Sequence, residues 1–412
     1  MLEAVPEAKR VRLCLSDLFH QDVVEMVERE TKAIEFWSIL KPDHKDFGKA
    51  YELLWDAFGP HGEMEREQAI RQFLIDDSYE PTATGTFIKY FLLVAKDREG
   101  NIRGVRDGSV LVNPGYAPEL CVVYLSHIFT VPEARGTVLS YWLRIAPMEL
   151  AIQYLKDLHE LGKIKVPMPE EPGKSFGMTI DLAAEMEYFS PEDRISWQRI
   201  LFYGRGGFDA IDPRHFPYLQ PDFREPGIVK QTGDRPMPFM VLLRRMGREK
   251  RALLPIEEAR AVMRLLYDDF ACHCAPDTLA SSLQLVLDRL EERARTKAYV
   301  RLLPLPTGPK NLRRLRKLFR YRVYTQYYPN LPATLEYLAS GIKERLAANP
   351  AHVDNALTAI ANELESRPAY VYANRNQDFT WEGLPAPPSR DSARSMRPTD
   401  RLAQRRSSKD GV

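Results

Sequence analysis

The run Cys121 to Val131, CVVYLSHIFTV, is apolar enough to be buried on both faces, and Pro132 stops it. A few residues later, past Arg135-Gly136, an amphipathic stretch begins and lasts from Thr137 to Leu161. Leu139, Leu143, Ile145, Leu150, Ile152 and Leu155 are its apolar positions. A buried strand that passes through a tight turn straight into a long helix constrains the fold more than any other feature, because it demands a sheet covered by helices. The same junction leaves free backbone N–H groups and a positive dipole end at the turn, a ready site for a pyrophosphate. Gly136 lets backbone approach an anion there, and Arg135 adds charge. An ordinary strand-to-helix turn would read the same way.

The flanking segments have the matching periods. Ala33 to Leu40 reads as a strand, and Phe47, Tyr51, Leu54, Trp55 and Phe58 recur at helical spacing until Gly59-Pro60. A second helix covers Met64 to Leu74. Phe87 to Lys96 and Ile102 to Val112 are strands around the turn Asp97 to Asn101. Met178 to Tyr188 is a further strand. Ser190-Pro191 opens a helix that ends at Gly204, and short strands follow at Phe208 to Ile211 and Phe239 to Arg245. This order predicts an α/β fold with a mixed sheet. From about residue 255 the pattern predicts helices only: Ile256 to Cys274, Asp277 to Lys297, Leu312 to Tyr324, Leu331 to Ala348 and His352 to Ser366. The expected organisation is an N-terminal extension over 1–32, an α/β domain over 33–250 and a helical domain over 251–384. A tail over 385–412, rich in Pro, Ser and Arg, is expected to be disordered because it has too little apolar surface to offset ordering entropy.

Composition excludes several classes. The formal net charge of the 412 residues is +1, so no overall field recommends DNA or an anionic membrane. No stretch approaches the roughly 20 apolar residues of a membrane span, and MLEAVPEAKRVRLCLSD does not read as a signal peptide. Four cysteines are too sparse for a disulfide scaffold, and Cys272-His273-Cys274 has no second pair at zinc spacing, so no metal is expected and a cytoplasmic, reducing setting is. The one basic run, Lys310 to Arg322, interleaves its charges with Leu312, Leu315, Leu318 and Phe319. It reads as an amphipathic helix with a solvated face, or as a contact for an anionic partner.

Segment 125–143 resembles the acetyl-CoA-binding strand-turn-helix of the GCN5-related N-acetyltransferases, in which V-x-P-x-x-R-G precedes the helix. Arg199-Ile200-Leu201-Phe202-Tyr203-Gly204-Arg205-Gly206-Gly207-Phe208 is similar to that superfamily's late helix-to-strand segment, with Tyr203, Gly207 and Phe208 in register. The two lie in the right order with the strand from Met178 between them, and the resemblance covers about residues 33–246. It implies a mostly antiparallel sheet of the same type, with an acyl thioester lying between the strand ending at Val131 and the strand from Met178. It implies acetyl-CoA as co-substrate, held by backbone of Phe129, Thr130 and Val131 and, at the pyrophosphate, by Arg135, Gly136, Thr137, Val138, Leu139 and Ser140.

The family's turn usually has two small residues where this chain has Val138 and Ser140, and a β-branched side chain at the first would crowd a pyrophosphate. Tyr203 matches the family's usual general acid; its other reading is a core aromatic at a helix end. Period-2 alternation puts Thr179, Asp181, Ala183, Glu185 and Glu187 on one strand face, so Glu185 and Glu187 are candidates to relay an amine proton, or residues of a solvated face. His127 reads as structural. Tyr218-Leu219-Gln220-Pro221 resembles a closing segment of the superfamily and is assigned no chemistry. The expected activity is acyl transfer from acetyl-CoA to an amine-bearing small molecule. The alternative is a catalytically degenerate acyl-CoA-binding or interaction protein of the same fold.

Overall fold

The computed structural model describes residues 6–11, 25, 28–29, 31–76, 78–135, 137, 139–165, 178–224, 226–249, 251–272, 274, 276–342, 344, 349 and 351–366. The expected tail, Gly136 and Val138 lie outside them.

The branched and aromatic segments around the Asp97–Asn101 turn form the longest hairpin, β3 (Phe87–Lys96) with β4 (Ile102–Val112). Asp97 closes the turn by accepting from the Asn101 N–H at 2.8 Å, and Gly100 takes a φ of 84°. β2 (Glu35–Ile39) adds antiparallel to β3, and β1 (Ala8–Val11), within the stretch read as an extension, adds to β2. The other strands are β5 (Leu120–Tyr124), β6 (Ile128–Thr130), β7 (Thr179–Met186), β8 (Asp209–Ile211), β11 (Met240–Arg245), β12 (Leu253–Pro255) and β13 (Tyr299–Pro304). They run in the order β1-β2-β3-β4-β5-β7-β11-β8-β13-β12, with β6 on β4. Every pair is antiparallel except β5 with β7. β9 (Leu219–Gln220) and β10 (Met237–Pro238) make a small separate ribbon.

Alternation along β4 sorts the helices onto two faces. Val105 packs with α1 (Phe47–Phe58) and α2 (Glu67–Ile75), and Leu111 with α6 (Ile256–Phe270). Val110 and Val112 point the other way, into the core shared with α3 (Leu139–Glu160) and α4 (Arg194–Arg205). α5 (Pro226–Thr232), α7 (Pro276–Ala294), α8 (Arg320–Tyr327), α9 (Pro332–Tyr337) and α10 (His352–Glu365) complete the described helices.

Three expectations are corrected. The region after 255 is not helical throughout: β13 joins the main sheet against β8, and β12 pairs with β13. Leu312 to Tyr324 is not one α-helix but a 3-10 segment, Pro309–Leu318, followed by α8. Phe319 is extended between them because Phe189 bonds to the chain on either side, through its N–H to the Leu318 carbonyl at 2.8 Å and its carbonyl from the Arg320 N–H at 2.7 Å. Those two bonds replace the intrahelical ones.

The third correction bears on the site. Cys121 to Val131 is not one strand. Against β4, Tyr124 stands opposite Ser109, but Ile128 stands opposite Arg106, so one extra residue is taken up between them, a β-bulge. Leu125 still donates to the Ala183 carbonyl at 2.8 Å. After it, β6 stays on β4 while β7 continues on β11, with Met186 opposite Met240. The two strands part.

Gly108 makes the step possible. It sits at the bulge with φ 152°, and a Cβ there would lie 2.0 Å from the Tyr124 carbonyl oxygen and 2.9 Å from the Phe91 ring. Gly108→Ala should therefore lower stability by about 3 kcal/mol through strain and overpacking together. A urea denaturation midpoint within error of the parent would show that the ladder tolerates a side chain at the step.

Candidate active site in the gap between two strands

The ladder decides which backbone groups face the gap. Asp107 donates its N–H to the His127 carbonyl at 3.2 Å, and Val131 donates to the Arg103 carbonyl at 3.1 Å. Antiparallel pairs alternate, so His127, Phe129 and Val131 turn their peptide groups toward β4, and those of Ile128 and Thr130 turn toward the gap. The Val131 carbonyl is also taken, by the Ala134 N–H at 2.9 Å. Of the three residues expected to offer backbone to a ligand, only Thr130 is placed to do so, and Ile128 joins it. Arg135 is exposed, with Nε 3.3 Å from the Thr130 carbonyl. Thr137 Oγ1 accepts from the Leu139 N–H at 3.3 Å at the start of α3, where Leu139 is buried and Ser140 faces the cavity.

The gap opens into a cavity of about 250 Å³ whose wall includes Ser126, His127, Ile128, Thr130, Ser140, Glu185, Glu187, Arg199, Tyr203 and Gln220. The structure thus brings Tyr203, Glu185 and Glu187 to one cavity wall. Tyr203 is 6% exposed near the end of α4, in edge contact with Phe202 and Phe208. Glu187 is held by Arg199 Nη1 at 3.3 Å. Glu185 accepts from the Tyr124 hydroxyl at 2.8 Å, from Gln220 Nε2 at 2.9 Å and from the Tyr218 hydroxyl. Burial pushes its carboxyl above the ordinary range even against these three donors. Burial also pushes the Tyr124 and Tyr218 phenols well up, so both stay protonated as donors.

His127 has a larger part than a structural one. Its Nδ1 lies 3.0 and 3.2 Å from the two Asp107 carboxylate oxygens, and its Nε2 lies 2.7 Å from the Glu63 carbonyl. Carboxylate and carbonyl are acceptors only, so both ring nitrogens must donate and the ring is an imidazolium. Burial opposes that charge, but Asp107 outweighs it and raises the pKa to about 9. Asp107 is fixed in turn by the Tyr90 hydroxyl at 2.9 Å. A permanent cation of this kind is no base; it supplies positive potential to Glu185 next to it.

Tyr218 and Gln220, read as a closing segment without chemistry, are direct partners of Glu185. Among the described residues no group of His, Cys, Asp and Glu could hold a metal ion. No helix of the described residues is long and apolar enough to cross a membrane.

The one parallel pair, and the gap just beyond it between the strand that reaches Val131 and the strand from Met178, decide the architecture. They are the arrangement that the resemblance to the GCN5-related N-acetyltransferases implies, a mostly antiparallel sheet that opens between these two strands. No sequence-family profile and no curated protein matches the chain. Among solved structures it is similar to a tandem GNAT protein from the clavulanic acid biosynthesis pathway, at 14% identity and a TM-score of 0.29, over 46% of this chain and 46% of that one. The match thus spans under half of that protein's length. A putative acyl-CoA N-acyltransferase from Klebsiella pneumoniae is similar at 16% identity and a TM-score of 0.26, over 52% of this chain and 97% of the other. A spermidine N-acetyltransferase mutant from Vibrio cholerae is similar at 11% and 0.22, over 59% and 96%. Scores this low carry no argument about activity; within this fold, the chemistry must be read from the gap itself.

The imidazolium has a measurable consequence. With a folded pKa of about 9 against an ordinary 6.5, its contribution to stability is complete below about pH 6.5 and is lost as pH rises through 9. The amount is at most about 3 kcal/mol. Unfolding midpoints in urea from pH 6 to 10 should fall for the parent and stay flat for His127→Gln across pH 7 to 9. Parallel curves would show that the ring is neutral.

Proposed function

We propose that the chain is an N-acyltransferase that moves an acyl group, acetyl in the first instance, from an acyl-CoA to a small cationic amine. The observation that carries the reading is the pair of peptide edges at Ile128 and Thr130, which turn away from β4 into a gap that also holds Tyr203 and Glu185; the Thr130 carbonyl there is met only by the exposed Arg135 side chain, which a ligand would displace. The edges fit the amide-bearing arm of a pantetheine, which would add to β6 as a short strand does. Arg135 and residues 136–140, which lead into the first turn of α3, would take the pyrophosphate. When bound, the donor supplies an activated thioester carbonyl.

The chain's own residues would then do two things. Glu185 would accept a proton from the acceptor's ammonium, directly or through water, so that the nitrogen has a lone pair to react. Burial raises the Glu185 pKa, the direction that suits a group which must take up a proton and release it again. Glu187, paired with Arg199, would hold the acceptor's charge. Tyr203 would hold the proton that the departing thiolate needs.

Arg106 gives Tyr203 a charge partner. It projects from β4 onto the α3 and α4 face and is fully buried, and none of its three nitrogens reaches hydrogen-bond geometry. Burial lowers its pKa, and the chief influences opposing that are Tyr203 and Asp107. A guanidinium beside the phenol would stabilise the phenolate left after proton donation.

Calorimetry with acetyl-CoA and with CoA tests the reading first. Both should bind, and mixing acetyl-CoA with a panel of di- and polyamines should release free thiol. Binding with no turnover on any amine would favour a binding protein, and no binding would end the proposal. Tyr203→Phe removes only a hydroxyl and should lower kcat by about 100- to 10,000-fold with little change in KM for acetyl-CoA. Arg106→Met should reproduce part of that loss, and Arg106→Lys should restore part of it. Glu185→Gln should abolish the rise of kcat/KM with pH. Unaltered turnover in Tyr203→Phe would leave that residue a core aromatic.

A further inference from the structure

The basic run Lys310–Arg322 buries its leucines, as its spacing predicts, and then divides its charges. Leu312, Leu315 and Leu318 are in the core. Arg316 pairs with Asp354, and Arg314 donates to the Leu305 carbonyl at 3.0 Å. Lys317 and Arg322 instead line a cavity of about 220 Å³, and Arg214 and Arg301 line it with them. The four cations arrive from separate places: the loop after β8, strand β13, the end of the 3-10 segment and α8.

The cavity is not neutralised from within. Asp212 is the one carboxylate in its wall, and Arg214 already grips both of its oxygens through Nε, at 2.9 and 3.0 Å. Nothing acidic in the wall remains for Arg301, Lys317 and Arg322. Like charges converging on one concavity repel, and an anion between them removes that cost.

We propose that this cavity binds a small phosphate-bearing anion, at a site separate from the gap between β6 and β7. The shape decides the class. A membrane or a duplex meets a flat or striped basic surface, whereas these cations rim a hollow closed by Leu303, Val323 and the Tyr327 ring. Guanidinium forks from Arg301 and Arg322 match phosphate oxygens, and Lys317 adds a point charge. The inference does not depend on the acyl-transfer reading.

Pyrophosphate is the probe, titrated calorimetrically into the full chain at low salt. Because the turn at 135–140 could also take it, the decisive reading is the difference between the parent and Arg301→Gln/Arg322→Gln. Both side chains are exposed, so the fold should survive the change. The double variant should lose one class of sites, and Lys317→Gln should weaken that class by roughly tenfold, as loss of one charge-assisted bond does. An identical isotherm in the double variant overturns the proposal. So does binding only of phosphatidylserine vesicles or duplex DNA, with no pyrophosphate heat at this cavity. Without ligand, Arg322→Glu should raise the melting temperature by relieving the repulsion. A fall would show that the cations are already compensated.

Discussion

A single residue of slack in one ladder is what the rest of the site depends on. Between Tyr124 opposite Ser109 and Ile128 opposite Arg106 the chain takes one step that β4 does not. A sheet continuous at this point would pair β6 with β7 and leave no cavity and no free peptide edge. The step turns His127 toward Asp107, which receives both its backbone N–H at 2.8 Å and its ring. Geometry and electrostatics of the site therefore have one origin, and it is a backbone feature rather than a side chain.

The charges around the gap are ordered by what surrounds each of them. His127 is positive because both nitrogens meet acceptors, and Glu187 has a guanidinium of its own. Glu185 has three neutral donors and a cation near it, yet burial still raises its pKa. At Glu185, neutral hydrogen bonds stand where an ion pair would. Such a group changes protonation at modest cost, whereas a paired one does not.

Much of this was legible in the sequence, and the gaps have physical reasons. Alternation alone put Glu185 and Glu187 on one face of their strand, and both line the cavity. The bulge was not legible, because a run such as CVVYLSHIFTV has the same composition whether or not one residue is unpaired. The clue lay in the neighbour: Arg106-Asp107-Gly108-Ser109 puts two charges, a glycine and a hydroxyl in the buried middle of β4, and buried polar groups of that kind need partners such as a site or a bulge provides. β13 was missed because Tyr299 to Pro304 is a short apolar segment between helices, which periodicity cannot separate from a helix end. Tyr218 and Gln220 lay in a segment with a resemblance but no sign of a chemical part, since what they touch lies on β7, far away in the chain.

That last pair shows how the C-terminal part enters the site. The segment bearing Tyr218 and Gln220 forms only a two-stranded ribbon, too small to hold a shape alone. Three tyrosines from later helices fasten it. Tyr267 of α6 donates to the Leu219 carbonyl at 2.9 Å, Tyr328 just after α8 donates to the Tyr218 carbonyl at 3.2 Å, and Tyr324 of α8 donates to the Pro238 carbonyl at 3.1 Å. All three rings are buried, so each phenol must find an acceptor, and the ribbon's backbone provides it. Glu185 is thus held by residues whose own backbone is held from 267 to 328. The later helices stand behind the wall of the gap, and they act on its acid through the ribbon that they fasten.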